Sequence, residues 1–544
     1  MTDVSLGGPD EARRRDDVRS LLIRAGVMDL GTASRLLADD AVVTVFGEIN
    51  TDHPVFDLLG AAADPDLALL SLGRIACSMH SDPPAADCLR QLLAAEPGRA
   101  RLAGVLGSSQ ALGADLARHP ESLWNLADPD ENRPPEPLAR VDLLSAVGAD
   151  PAAAVPVAAM SGPEGYDAMR RAYRNRLIRI AATDLAAADP TKIVHIVSGA
   201  LADLATAALE AALALARAET EDHELVRLAV IAMGKTGGRE LNYVSDVDVI
   251  YVAEPAQADV DDATLAQVGT RLAAALARAC AAPSTEPALW VVDANLRPEG
   301  RNGPLVRTLD SHLEYYKRWA KTWEFQALLK ARAVAGDREL GEAYVTATRP
   351  FVWSAASRPN FVVDSQAMRR RVEENVPPEE ADRQIKLGRG GLRDVEFTVQ
   401  LLQLVHGRAD ETLRSPNTLI ALEALTTGGY VGRTDAAELA AAYRFLRVLE
   451  HRIQVHRMRR SQLMPTAEAD LRRLGRSLGY RHDAAGEITE SWRTVRRRVR
   501  TLHESLYYRP LLPAIAQLSP EEASLAPEAA HARLASVGFR DPAG

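Results

Sequence analysis

The segment Gly234–Val252, G-K-T-G-G-R-E-L-N-Y-V-S-D-V-D-V-I-Y-V, limits what this chain can fold into more than any other stretch. Its last four residues, Val249-Ile250-Tyr251-Val252, are apolar without alternation, the pattern of a strand buried on both faces. Ser245-Asp246-Val247-Asp248 opens that strand. Side chains at i and i+2 point the same way, so Asp246 and Asp248 are predicted to share a face, about 7 Å apart by the strand rise. Two carboxylates there repel one another and lose hydration at the mouth of a core. A divalent cation, Mg²⁺ or Mn²⁺, relieves both and leaves room for phosphate oxygens. Alternating acids are common on solvated strands, so the pair alone proves little. The buried strand behind it and the glycines ahead of it give it weight.

Gly237 and Gly238 permit a tight turn whose backbone N–H groups are predicted to meet a phosphate, with Ser245 touching it as well. Lys235 and Arg239 flank that turn, as phosphate partners or as solvated loop residues. A second apolar run, Leu289-Trp290-Val291-Val292-Asp293, ends in a carboxylate and leads into a turn-rich loop carrying Arg297 and Arg301. Beside the first strand, Asp293 becomes a third metal ligand, and Arg297 or Arg301 grips phosphate in the bidentate manner of guanidinium. Standing alone, an acid at a strand end is more often a cap. Farther along, I-K-L-G-R-G-G-L-R-D-V-E-F sets Lys386, Arg389 and Arg393 around three glycines, before a helix predicted to start near Leu392. Such a helix start is a ready anion site, or simply a basic loop turning into a bundle. Glu396 either faces the centre or pairs with Arg393 at i, i+3.

A chain of 544 residues is too long for one core. Aromatics make up only 5% of it, so Ala, Leu and Val must fill the interiors. Cys77, Cys88 and Cys280, odd in number and scattered, predict free buried thiols in a reducing, cytoplasmic setting. The first residues lack the apolar core of a signal peptide. Asp203 and Glu210 interrupt the apolar stretch Ile193–Ala218 and argue against a membrane span. A net charge of −10 argues against bulk nucleic-acid binding.

The period is helical from Glu11 to about Leu126, and the Pro-rich Asp128–Pro137 reads as a linker. Helices are predicted over 166–188 and 191–219, strands over 225–233, 246–253 and 288–293, with a helix at 262–281 between the last two. From Leu309 the pattern is helical again, through 369–376, 392–406, 416–426, 436–459 and 491–508. Its basic runs, Arg369–Arg371, Arg457–Arg460 and Arg496–Arg498, read as solvated faces, with a lesser alternative that one docks an acidic surface or a nucleotide. The class is α+β and mostly helical.

Taken together, G-K-x-G-G-x-E-L-N-x-x-S-D-x-D and the Val292–Val306 loop resemble the glutamine synthetase adenylyltransferase/adenylyl-removing enzyme family. Tyr315–Asp337 is similar to that family's helical stretch after the loop, Ile385–Phe397 to its glycine-rich motif, and Tyr443–Arg452 to its Y-x-F-L-R-x-L-E helix. The resemblance implies a polymerase-beta-like nucleotidyltransferase core with a small mixed sheet over 161–350. It implies an N-terminal helical region over 1–160, a helical bundle over 351–510, and a linker at 511–544 towards an absent second half. Leu106–Leu112 and His119-Pro120-Glu121 look like the start of the N-terminal half, which in the family removes AMP from a glutamine synthetase tyrosine. That reaction takes phosphate as co-substrate and releases ADP; the runner-up is addition of AMP from ATP, and a third reading is an inactive nucleotide-sensing module. Adenylylated glutamine synthetase and the PII signal protein are the implied partners.

Overall fold

The computed structural model describes residues 9–79, 82–127, 135–509 and 512–516. The chain is mostly helical around one small mixed sheet. Short helices make up most of the described residues between Pro9 and Ala146, followed by α1 (Gly162–Ala186) and α2 (Pro190–Ala218). Next come β1 (Val226–Ala232), β2 (Val247–Pro255), α3 (Asp262–Ala281), β3 (Val292–Asp293), β4 (Val306–Arg307) and β5 (Arg332–Gly336). The C-terminal helices include α4 (Arg338–Ser354), α5 (Phe361–Glu374), α6 (Leu392–His406), α7 (Thr418–Thr427), α8 (Arg433–Arg457), α9 (Glu468–Arg476) and α10 (Ala484–Tyr507).

Strand order is β3-β2-β1-β5, with β4 pairing the same edge of β2 as β3 but farther along. β1 runs antiparallel to β2 and β5, whereas β3 and β4 are parallel to β2. Parallel neighbours need a crossover, and α3 supplies it. Alternation then divides the core. Leu228 and Val230 of β1, with Val247, Val249, Tyr251 and Ala253 of β2, pack on the N-terminal helices, α2 and α3. Ala229, Ile231, Ile250 and Val252 pack on the C-terminal helices instead. Asp248 has the parity of Ile250 and Val252, so it faces the C-terminal side.

The helix α2 starts where Asp189 accepts the Thr191 N–H at 3.1 Å ahead of Pro190, a cap followed by a proline that needs no donor. It is long and apolar enough to cross a membrane, yet it is buried inside the protein. A helix apolar all round belongs in a core. The two interrupting acids are structural: Asp203 takes Arg239 Nε at 3.0 Å, and Glu210 takes the Gly336 N–H at 3.0 Å. Asp184 of α1, fully buried, accepts from Arg452 of α8 (2.7 Å) and from the Tyr243 hydroxyl (2.9 Å), tying both helical regions to the motif segment.

Some expectations fail. Arg332–Gly336 is a strand, not helix, because β1 offers it an open edge. The predicted 288–293 strand shortens to Val292–Asp293. Cys77 is exposed; only Cys88 and Cys280 are buried thiols. Arg369 is fully buried rather than solvated, since its guanidinium pairs with buried Asp394 (Nε–Oδ1 2.6 Å). Of the linker 128–137, residues 128–134 lie outside the described residues and Pro135 begins a helix; of 511–544, only 512–516 are described.

Candidate active site

Asp248 and Asp293 face each other as register partners across the parallel β2–β3 pair, about 4.8 Å apart in backbone. Asp246 stands one residue ahead of β2, not on it, and its carboxylate pairs with Arg460 beyond α8. Half-buried Asp248 has its carboxyl pushed up to about 6, first by burial, then by Asp293 and Asp246; Lys386 and Arg393 oppose the shift. Three acids and two cations therefore converge on one edge of the sheet. Gly234, at φ +54°, stands so close that a Cβ there would lie 2.7 Å from Asp248 Oδ2. Asp293 is oriented by the Asn295 N–H, which donates to its Oδ1 at 2.8 Å.

The glycine turn differs from expectation. The Gly237 N–H is spent on the Met233 carbonyl (3.0 Å) and the Gly238 N–H on Gly234 (3.1 Å), so neither is offered to a phosphate. These glycines serve packing: a methyl on Gly237 would overlap the Lys330 carbonyl. Ser245 is half-buried directly before Asp246.

Lys235 and Arg239 are anchors too. Lys235 Nζ donates to Glu450 of α8 at 2.8 and 3.0 Å and to Asn242 Oδ1 at 3.1 Å. Burial, with Arg447 and Lys386 nearby, brings the Lys235 ammonium down to about 7 despite Glu450. Burial alone would raise Glu450, but Lys235 and Arg447 override it and hold it at about 2. Glu240 completes this buried network, pairing with Lys330 and accepting the Thr418 N–H at the start of α7 (2.6 Å).

Around α6, Lys386 and Arg393 act on the Asp248 carboxyl through their charge, whereas Arg389 turns away. Arg389 is exposed and pairs with Glu373. Lys386 is lowered by burial and by Arg393, against Glu450, Glu396 and Asp248. The helix start is not an open anion site: Gly390 donates to Asp394 Oδ2 (2.6 Å), Leu392 to Ile385 (2.9 Å) and Arg393 to Lys386 (2.9 Å). Glu396 takes the second of its two readings, the pair with Arg393. It lies 3.8 Å from Arg393 and, buried, is held low by Arg393, Lys330, Lys235 and Lys386 against the cost of burial. Arg297 staples its own loop instead of reaching outward, donating to Ala294, Gly303 and Pro304 carbonyls at 2.8–3.2 Å. Arg301 is exposed.

Sequence reading missed Glu450, Arg447, Asn242, Glu240 and Lys330. The signal for the charged ones was charge set among apolar residues, above all Arg447 and Glu450 at i, i+3 around Val448-Leu449. Among the described residues, the one trio with ligand atoms all within 4.8 Å of one another is elsewhere: Asp115, His119 and Glu286. Arg171 already pairs with both of its carboxylates, 2.8 Å from Asp115 and 3.6 Å from Glu286.

A family profile described as glutamate-ammonia ligase adenylyltransferase matches residues 99–347, and one described as GlnD PII-uridylyltransferase matches 366–507. A bifunctional glutamine synthetase adenylyltransferase/adenylyl-removing enzyme from Streptomyces coelicolor is 54% identical over 533 residues, 97% of this chain and 51% of the relative. Its namesake from Bifidobacterium longum is 46% identical over 555 residues, 96% of this chain and 50% of the relative. That from Leifsonia xyli is 47% identical over 545 residues, 96% of this chain and 52% of the relative. The chain thus spans about half the length of the curated relatives it matches. With identity of this order along nearly its whole length, the chain belongs to the bifunctional glutamine synthetase adenylyltransferase/adenylyl-removing enzyme family.

Proposed function

We propose that this chain is the adenylyl-removing half of such an enzyme, acting in the cytoplasm on adenylylated glutamine synthetase. In the reaction, inorganic phosphate attacks the α-phosphorus of the tyrosyl-AMP. The bond to the tyrosine oxygen breaks, the new P–O bond gives ADP, and the tyrosine oxygen takes up a proton. The observation that carries this reading is Asp248 facing Asp293 in register, its carboxyl pushed up to about 6 by burial and by that neighbour. Likeness of Leu106–Leu112 and His119–Glu121 to the start of the N-terminal half supports removal over synthesis.

The residues suit a divalent cation: three carboxylates crowd one edge, and the missing Cβ of Gly234 leaves Asp248 Oδ2 its space. Asp246, Asp248 and Asp293 would hold Mg²⁺ or Mn²⁺, which when bound neutralises and aligns phosphate oxygens. Lys386 and Arg393 add positive charge beside those acids, where the displacement gathers negative charge. Glu450 fixes Lys235 beneath the glycine turn, and the Arg297 staple keeps the loop behind Asp293 closed. Phosphate is an anionic nucleophile at neutral pH, so no side chain need act as base. These parts suit a polymerase-beta-like nucleotidyltransferase core.

The likeness of 366–507 to a PII-uridylyltransferase profile favours a PII signal protein as a partner besides glutamine synthetase. The first profile's name, an adenylyltransferase, favours a second reading in which AMP is added from ATP. Product analysis separates the two. Adenylylated glutamine synthetase, phosphate and Mg²⁺ or Mn²⁺ should yield ADP with this chain. Consumption of ATP with pyrophosphate release from unmodified glutamine synthetase, and no ADP from the modified form, would reverse the assignment.

A further inference from the structure

The run Arg457-Met458-Arg459-Arg460 remains unexplained by the acid cluster, apart from the Arg460–Asp246 pair. Met458 adopts φ +47°, which ends α8 and turns the chain sharply. Arg457 on the helix and Arg459 and Arg460 beyond it therefore curl round one cavity of about 340 Å³. Arg383, Arg452, Arg473 and His456 line it too, and Asp470 is the one acid among its lining residues.

The charges are not balanced from within. Arg452 is committed to Asp184, Arg473 to Asp470 at 2.6 Å, and Arg460 to Asp246. Arg383 spends its Nε on the Met464 carbonyl at 2.8 Å and has no carboxylate partner among the described residues. Arg457 and Arg459 are exposed and have neither ion pair nor side-chain hydrogen bond among the described residues. His456 lends an independent sign of the local field: burial first, then Arg473 and Arg457, bring it down to about 4. The negative end of α8 accounts for some attraction of cations but not for their gathering around a hollow. A solvated basic face would need no hollow; a cavity lined by guanidinium groups is instead what phosphate oxygens match.

We propose that this cavity binds a phosphate-bearing small molecule, at a site separate from the Asp248–Asp293 centre but sharing Arg460 with Asp246. A phosphate or phosphate ester there meets Arg457, Arg459 and Arg383 and draws on Arg460, lengthening its contact with Asp246. Binding stands whether or not the three acids hold a metal; only the link through Arg460 rests on that reading.

The test is titration calorimetry on the purified chain in EDTA, with inorganic phosphate, pyrophosphate and ADP as separate probes. Arg457→Ala/Arg459→Ala, both exposed positions, should weaken the bound probe at least about tenfold. Asp248→Asn should leave that affinity unchanged, and Asp246→Asn, which frees Arg460, should tighten it. Preference for ADP identifies a nucleotide site, and equal response to pyrophosphate a site for phosphate groups alone. No binding by any probe, or an affinity indifferent to the arginine pair, overturns the proposal. Loss of binding in Asp248→Asn would place the anion in the acid centre and overturn it as well. Turnover plays no part in these readouts, so failure of the proposed reaction is distinguishable from failure of the site.

Discussion

Asp248→Asn is expected to lower turnover by at least about 100-fold while leaving the fold intact, because it removes the proposed metal ligand but no packing. The stability readout has its own sign. The folded-state carboxyl is raised to about 6 from its ordinary 3.8, so above that range its charge opposes folding. The penalty is absent in acid and grows as pH rises through the interval between those values. Asparagine keeps the shape without the repulsion from Asp293 and Asp246. In metal-free buffer at pH 8 the variant should therefore melt no lower than the parent, and the gap should vanish near pH 4. Loss of turnover with a lower melting point would instead make Asp248 a structural residue. That is the usual trade at sites where function holds charges against their preference.

Glu450→Ala should have the larger effect on stability. Glu450 is buried and receives Lys235 at 2.8 and 3.0 Å and Arg447 at 2.6 Å. Removing it takes the buried carboxylate away from Arg447 and Lys235, a class of change that costs about 3–5 kcal/mol. The pH dependence is opposite in sign to that of Asp248. Its carboxyl is depressed to about 2 from 4.5, so it contributes stability above the unfolded value and loses it as pH falls through that window. Chemical denaturation at pH 7 and at pH 3 measures this: the wild-type advantage over the variant should shrink in acid. Turnover should fall too, since Lys235 loses its anchor beneath the glycine turn. An unchanged denaturation midpoint would mean that the buried network is not what fixes the motif segment to α8.

What the sequence revealed and what it hid follow from range. Asp248 and Asp293 were legible because each sits at the edge of an apolar run, and period-two alternation with a crossover helix brings such runs side by side. Asp246 was legible as an acid but not as the partner of Arg460, which lies 214 residues on. The same limit hid Lys235–Glu450, 215 residues apart, and Asp184–Arg452, 268 apart. Only the folded chain decides where a buried charge finds its partner. Gly237 and Gly238 were misread for a different reason. Glycine serves both an exposed backbone donor and a close approach, and the Lys330 carbonyl that demands the second is remote in sequence. Arg389 and Arg393 look alike on paper, but Arg389, ahead of α6, pairs with Glu373, while Arg393, in its first turn, lies 3.8 Å from Glu396 and lowers the Asp248 carboxyl electrostatically. Strand β5 escaped because five residues between helices carry little pattern, and pairing with β1 decides their state.

In the proposed reading the three acids at the β2–β3 edge, and not the ion-paired Asp115–His119–Glu286 trio, hold the divalent cation. Mn²⁺ binding followed by electron paramagnetic resonance, on the parent chain and on Asp248→Asn and Glu286→Gln, tests it directly. Binding lost in Asp248→Asn and kept in Glu286→Gln is the result expected here. Binding kept in Asp248→Asn and lost in Glu286→Gln would contradict it.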